Sequence, residues 1–153
     1  MKQRLQKKRY GIDADRIIPG LYQGSRPSKG SALRLAGFDA LVLCAGEFQP
    51  DAGAFPGMRV HHAPLDDHQY RITDDEWMQI ISAAEFAMSN IHRNRRVLVT
   101  CQMGWNRSGI VNGVAVMMLT GCKADEAVRQ IRRKRSKGLS NRSFAKQLNI
   151  LPA

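Results

Sequence analysis

In the stretch "VLVTCQMGWNRSG", Arg107 follows Cys101 after five intervening residues, with Gly104 between them and Ser108 and Gly109 directly behind. An apolar, strand-like run leads in and a second apolar run leads out. If the chain turns there from strand to helix, the backbone from Gln102 through Met103, Gly104, Trp105 and Asn106 to Arg107 wraps a concavity able to hold an anion, with Cys101 at its floor. Gly104 allows the bend, and Arg107 offers a planar fork to two phosphate oxygens. Amide dipoles, a helix N-terminus and a guanidinium all favour thiolate over thiol at Cys101. A thiolate aimed at phosphorus, with amides and arginine on the equatorial oxygens, is equipped for phosphoryl transfer through a covalent intermediate. Because the loop itself neutralises the phosphate, neither a metal nor a cofactor is expected. The competing account makes Cys101 a small buried hydrophobe. The succession of strand, Cys, Gly, Arg, Ser, Gly and core helix speaks against it.

The elements that must position this loop are legible around it. "RVLVTC" (96–101) is a β-branched run of the kind that suits a buried central strand. "SGIVNGVAVMMLTG" after it is apolar nearly all round, as a core helix is. Upstream, "RIIPGLYQGS" reads as a strand pair about Gly20, "SALRLAGF" as a short helix ending at Gly37, and "DALVLC" (39–44) and "MRVHHAPL" (58–65) as neighbouring strands. Thr73 and Glu76 form a capping box ahead of "EWMQIISAAEFAMSNIH", whose apolar residues fall at helical spacing. "ADEAVRQIRRKR" is amphipathic with Ala127, Val128 and Ile131 inward, and "NRSFAKQLNIL" closes the chain with Phe144 and Leu148 one turn apart. The expected fold is therefore α/β, one domain with a short, partly parallel central sheet flanked by helices. Residues 1–12 are expected to form a basic arm and 13–153 the folded domain.

Composition narrows the class. The chain has 153 residues, 43% hydrophobic and 24% charged, which is enough for a single well-buried core. Three cysteines, Cys44, Cys101 and Cys122, are too few and too scattered for a disulfide framework or a zinc finger. They suit a reducing compartment, so a soluble cytoplasmic protein is expected. "MKQRLQKKRY" lacks the apolar run of a signal peptide, and no stretch is long enough to span a bilayer. The formal net charge is +11, with basic runs at "KQRLQKKR" and "RQIRRKRSKG". Such runs are either solvated helix faces or a surface for an anionic partner, RNA or phosphoinositide among them. A monomer is the default expectation.

"CQMGWNRSG" fits the Cys-x5-Arg-Ser/Thr signature, and the chain resembles the cysteine-dependent protein tyrosine phosphatases, most closely their small dual-specificity branch. "IIPGLYQGSRPS" is similar to that branch's opening strand motif, "PLDDH" to its general-acid segment, and "ADEAVRQIRRKRSKGLSNRSFAKQL" to its two closing helices. The resemblance runs from about Arg16 to Leu148. It implies a cysteinyl-phosphate intermediate on Cys101 and a phosphorylated protein as substrate, through phosphotyrosine and also phosphoserine or phosphothreonine. It makes Asp67 the acid that protonates the leaving oxygen and then the base for water attack, with Asp66 a solvated neighbour. Ser108 then hydrogen-bonds the departing thiolate.

Two positions depart from the pattern. Thr100 stands where the family usually has histidine, so less of Cys101 is expected as thiolate than is usual there. Asn106 stands where serine is common and resembles the RNA 5′-triphosphatase members of the superfamily. With the net charge, that makes an RNA 5′-end phosphatase the alternative, although those relatives typically lack the acid that "PLDD" supplies. A phosphoinositide phosphatase is a further alternative, since a basic rim suits that substrate equally well. Trp105 either lines the pocket rim or packs under the loop. Cys44, at the end of the strand expected beside Cys101, is either a core thiol or, as in some lipid-phosphatase and regenerating-liver-type members, a redox partner. Cys122 reads as structural. His61 and His62 are adjacent on a strand and face opposite ways, so they cannot share a metal. His92 suits a helix end. A purely nucleic-acid-binding protein would explain the charge but not the loop.

Overall fold

The computed structural model describes residues 11–151, so most of the expected basic arm lies outside the described residues. Five strands form one sheet in the order β1-β2-β5-β3-β4: β1 (Ala14–Ile18), β2 (Leu21–Gly24), β3 (Ala40–Ala45), β4 (Arg59–Leu65) and β5 (Val97–Thr100). Only β1 runs antiparallel to its neighbour; β2, β5, β3 and β4 are mutually parallel. The partly parallel sheet read from the sequence is thus present. Every residue of β2, β3 and β5 is buried, which explains the apolar runs of β3 and of residues 97–99 in β5.

The helices are α1 (Ala32–Leu35), α2 (Asp74–His92), α3 (Arg107–Thr120), α4 (Ala124–Lys134) and α5 (Arg142–Gln147), with 3-10 turns at Ala52–Ala54 and Leu148–Ile150. The closing helix is shorter than the sequence suggests, its last turn tightening at Leu148. The α3 helix packs on β2, β5 and β3 and is flanked by α2 and α4. Its residues from Ser108 to Val116 are all buried, as a helix apolar all round must be. Both halves of the Thr73–Glu76 capping box form: Thr73 Oγ1 accepts from the Glu76 amide at 3.1 Å, and Glu76 Oε1 accepts from the Thr73 amide at 2.9 Å. His61 stacks on Phe86 of α2 while His62 reaches Pro50 O, so the two rings do face opposite sides. Ile12 is buried at the edge of the core. Among the described residues no helix is long and apolar enough to cross a membrane.

Candidate active site

The loop between β5 and α3 is held by its carbonyls. Gln102 O accepts from the Arg26 amide at 3.2 Å and Trp105 O from the Leu139 amide at 2.8 Å. Arg135 donates to Met103 O at 3.0 Å and to Gly104 O at 2.7 Å, and Gln23 Nε2 donates to Gly104 O at 3.0 Å. In a planar trans peptide the C=O and the following N–H point opposite ways. Drawing the carbonyls of residues 102–105 outward therefore turns the amides of residues 103–106 into the loop. Among the described residues none of those four amides has an acceptor within the protein. The result is a nest of N–H groups at the N-terminus of a buried helix, an anion site in form and electrostatics.

Cys101 is buried at the base of this nest, its Sγ 3.2 Å from Ser108 Oγ. Arg107 is anchored from outside: Nη1 donates to Glu47 Oε2 at 2.6 Å and Leu65 O at 3.2 Å, and Nη2 to Glu47 Oε1 at 2.8 Å. A guanidinium has five N–H groups, and these bonds take both from Nη1 and one from Nη2. What remains is Nε–H and the second Nη2–H, side by side on one edge, the pair that addresses two phosphate oxygens. Hydrogen bonds donated to Glu47 outweigh burial to raise Arg107 further above its ordinary range, and the charges of Cys101, Glu47 and Asp67 add to that. Thr100 turns its hydroxyl to Val42 O at 2.9 Å, so it serves the sheet, not the sulfur.

Asp67 is exposed, yet both of its carboxylate oxygens are held. Asn106 Nδ2 donates to Oδ2 at 3.0 Å and Asn141 Nδ2 to Oδ1 at 2.6 Å. The loop that carries it is tied to α5 residue by residue: Asn141 also donates to His68 O at 2.8 Å, Ser143 Oγ to Gln69 O at 3.0 Å and Gln147 Nε2 to Tyr70 O at 2.9 Å. Tyr70 N donates to His68 Nδ1 at 3.2 Å, which leaves the ring proton on Nε2, 2.7 Å from Glu76 Oε2. Both nitrogens of His68 are thereby engaged. Asp66 is exposed and makes no such bonds among the described residues.

Cys44 lies beside Cys101. Leu43 is the partner of Thr100 across the parallel β3–β5 pair, and the two cysteines follow them. Burial first, and the nearby Cys101 charge second, push the Cys44 thiol well above its ordinary range. Trp105 is partly exposed with Lys137 Nζ 4.8 Å above its ring, and it lines a cavity of about 670 Å³ with Met103, Lys134 and Lys137. Asp13, Asp15 and Arg135 also line that cavity, whereas Cys101 and Arg107 do not.

Glu47, Gln23, Arg135, Asn141, Ser143 and Gln147 are site residues that the sequence reading did not single out. Gln23 carries a faint signal as a polar residue inside a buried strand, whereas Arg135 is one charge among several in an apparently solvated run. Arg135 is 8% exposed; burial works against its charge, but Asp13 and Asp15 outweigh it. Glu47 should matter for chemistry through Arg107's orientation: Glu47→Gln loses one arm of the fork, and kcat/KM should fall by about 10–100-fold. Its stability effect has a sign. Hydrogen bonds from Arg107 hold Glu47 at about 2 against an ordinary 4.5. Between those values the unfolded chain binds a proton that the folded one does not. The stabilisation is full above the ordinary value and lost as pH falls toward the depressed one. Melting curves of wild type and Glu47→Gln should differ by a constant amount at neutral pH and converge in strong acid.

The dual specificity phosphatase catalytic domain family matches residues 21–151. Among solved structures, a mouse putative dual specificity phosphatase complexed with zinc tungstate is similar at 23% identity and TM-score 0.78, over 91% of this chain and 86% of that one. Human DUSP28 is similar at 22% identity and TM-score 0.76, over 90% of each chain. PTPMT1 in complex with PI(5)P is similar at 17% identity and TM-score 0.68, over 90% of this chain and 97% of that one. No curated protein matches the chain in sequence. The match over β2 to the last turn agrees with what the loop is shaped to hold: the chain belongs to the dual specificity phosphatase catalytic domain family and is a phosphoric monoester hydrolase.

Proposed function

We propose that the chain hydrolyses aryl phosphate monoesters, phosphotyrosine in proteins first among them, through a phosphocysteine on Cys101. The observation that carries this reading is the joining of Asp67 to the phosphate loop by Asn106, since it sets an acid beside the nucleophile. In the first step the Cys101 thiolate attacks phosphorus. The amides of residues 103–106 and the free edge of Arg107 take the charge of the equatorial oxygens. The P–O bond breaks, and the leaving oxygen takes the proton of Asp67. In the second step water attacks phosphorus, its proton passes to the Asp67 carboxylate, and the P–S bond breaks. Ser108 Oγ, already 3.2 Å from Sγ, steadies the returning thiolate.

The RNA 5′-end alternative loses much of its support. Asn106 is engaged with Asp67. Of the basic run, Arg129 and Arg133 pair with Glu126, Arg132 holds the carbonyls of Gly138 and Leu139, and Arg135 is buried. The test is phosphate release without added metal from a phosphotyrosine peptide, a phosphoserine peptide, a phosphoinositide and a 5′-triphosphorylated RNA. Turnover is expected to be highest on the phosphotyrosine peptide. Faster release from RNA or lipid would reject the substrate assignment.

Cys44 is the redox partner in this reading. Peroxide converts the Cys101 thiolate to a sulfenic acid, and the Cys44 sulfur displaces the hydroxyl as water to give a disulfide, reversed by two external thiols. Because burial holds Cys44 protonated, ring closure should be slower than alkylation of Cys101. Peptide mapping after mild peroxide should find the Cys44–Cys101 pair; Cys101 recovered only as sulfinic acid would exclude it.

A further inference from the structure

We propose that Asn106 is a positioning residue that bolts the acid Asp67 to the phosphate loop, and thereby sets how well the enzyme acts on poor leaving groups. The proposal rests on Asp67 being the acid, as above.

The geometry is unusual for an asparagine at this place. Asn106 occupies the N-cap position of α3, where an Asn side chain ordinarily accepts from an amide of the first turn. It makes no such bond here. Instead Nδ2 donates to Asp67 Oδ2 at 3.0 Å, while Oδ1 accepts from the Asn141 amide at 2.8 Å and from Ser140 Oγ at 3.3 Å. Turned away from its own helix, the side chain spends its donor on Asp67 and its acceptor on the head of α5.

The second consequence concerns Asp67. A carboxylate on an exposed loop has several rotamers, and Asp67 is exposed. Two amide donors, one from the phosphate loop and one from the head of α5, select a single rotamer by holding both oxygens. Asn141 is itself fixed, since its Oδ1 accepts from the Phe144 amide at 3.1 Å as the cap of α5. Acid loop, phosphate loop and α5 thus share one planar side chain. Serine in that position has its donor and acceptor on a single atom, one bond closer to the backbone, and cannot span the same three groups.

The effect must depend on the leaving group. A phenolate, with conjugate-acid pKa of about 10, leaves with modest help, whereas an alkoxide, nearer the ~15.7 of water, needs the proton in the transition state. Loss of the bolt therefore costs most where the proton matters most.

The experiment measures kcat and KM for wild type, Asn106→Ser, Asp67→Asn and the double variant on aryl phosphates of falling leaving-group acidity and on a phosphoserine peptide. Inorganic phosphate inhibition is measured beside them. For Asn106→Ser we expect kcat to fall by about 10–100-fold on the poorest leaving group and by less than about 3-fold on p-nitrophenyl phosphate, a share of the usual general-acid effect. The phosphate inhibition constant should stay within about 2-fold, and adding Asn106→Ser to Asp67→Asn should cause little further loss. Asn106→Ala, which removes the donor without adding a charge beside Asp67 or the bound phosphate, should show the same steeper dependence even if the serine variant folds poorly. A uniform loss across the series, or full additivity with Asp67→Asn, overturns the proposal. If Asp67→Asn leaves the leaving-group dependence unchanged, the acid assignment has failed and the proposal falls with it. If Asp67→Asn steepens that dependence and Asn106→Ser does not, the acid stands and only the bolt is lost.

Discussion

Cys101→Ser should leave less than about one ten-thousandth of wild-type turnover on any phosphate ester, while inorganic phosphate still binds within a few-fold. The two halves of this result come from different atoms. Turnover needs an anionic sulfur that attacks phosphorus and then leaves it, and a serine hydroxyl at neutral pH does neither well. Binding needs the inward amides of residues 103–106 and the free edge of Arg107, and the substitution removes none of them. Ser108 would still donate to the smaller oxygen, so the loop should keep its shape. Phosphate binding followed by calorimetry, with single-turnover assays on p-nitrophenyl phosphate, separates the two. Residual turnover above about a hundredth of wild type would place the nucleophile elsewhere. Loss of phosphate binding would mean that the thiolate, not the amide nest, organises the loop.

Gly104→Ala should damage fold and site together. Gly104 has φ +72, and a Cβ there would lie 2.4 Å from Gly24 C, 2.5 Å from Gly24 O and 2.7 Å from Arg135 Nη2. The left-handed conformation alone costs about 1–2 kcal/mol for a residue with a side chain. The clash cannot be relieved cheaply, because Gly24 belongs to β2, which is paired on both sides, and Arg135 is gripped by Asp13 and Asp15. Relief requires turning the Gly104 peptide, which takes its carbonyl from Arg135 and Gln23 and aims the Trp105 amide outward. We expect a loss of about 3 kcal/mol or more, a melting point lower by roughly 6–12 °C, and phosphate affinity and kcat/KM each down by at least about 100-fold. Gly53, with nothing near its would-be Cβ, supplies the control: Gly53→Ala should be close to neutral. Wild-type phosphate affinity in Gly104→Ala would refute the carbonyl-out account of the loop.

Some of the molecule was legible because its causes are local. The capping box needs only Thr73 and Glu76, three residues apart, and both bonds form. The strand ending at Thr100 and the helix opening at Arg107 follow from two apolar runs of different length and period, and the opposed faces of His61 and His62 from the strand repeat alone. The charge run near residue 130 was harder. As sequence it is a solvated face or a patch for an anionic partner. In the fold Arg132 caps the turn into α5 and Arg135 is buried under the phosphate loop. A positive side chain looks the same in either use until its acceptors are known. Asn106 is similar: its type suggested a different substrate class, and its bonds tie it to Asp67 and to the backbone of Asn141.

What the sequence by itself determined was the spacing of Cys101 from Arg107 and the strand–loop–helix that carries them, properties of short windows governed by backbone sterics and periodicity. The role proposed for Asp67 came from the resemblance of "PLDD" alone. What only the tertiary structure decided was direction. Which way the loop's amides face is set by Gln23 and Arg135, from residues 81 and 31 positions away from Gly104. Which edge of Arg107 is free is set by Glu47, 60 positions away, and where Asp67 points by Asn141, 74 positions away. A hydrogen bond fixes an orientation only when donor and acceptor are both in place, and across such separations packing of the sheet and helices is what brings them there.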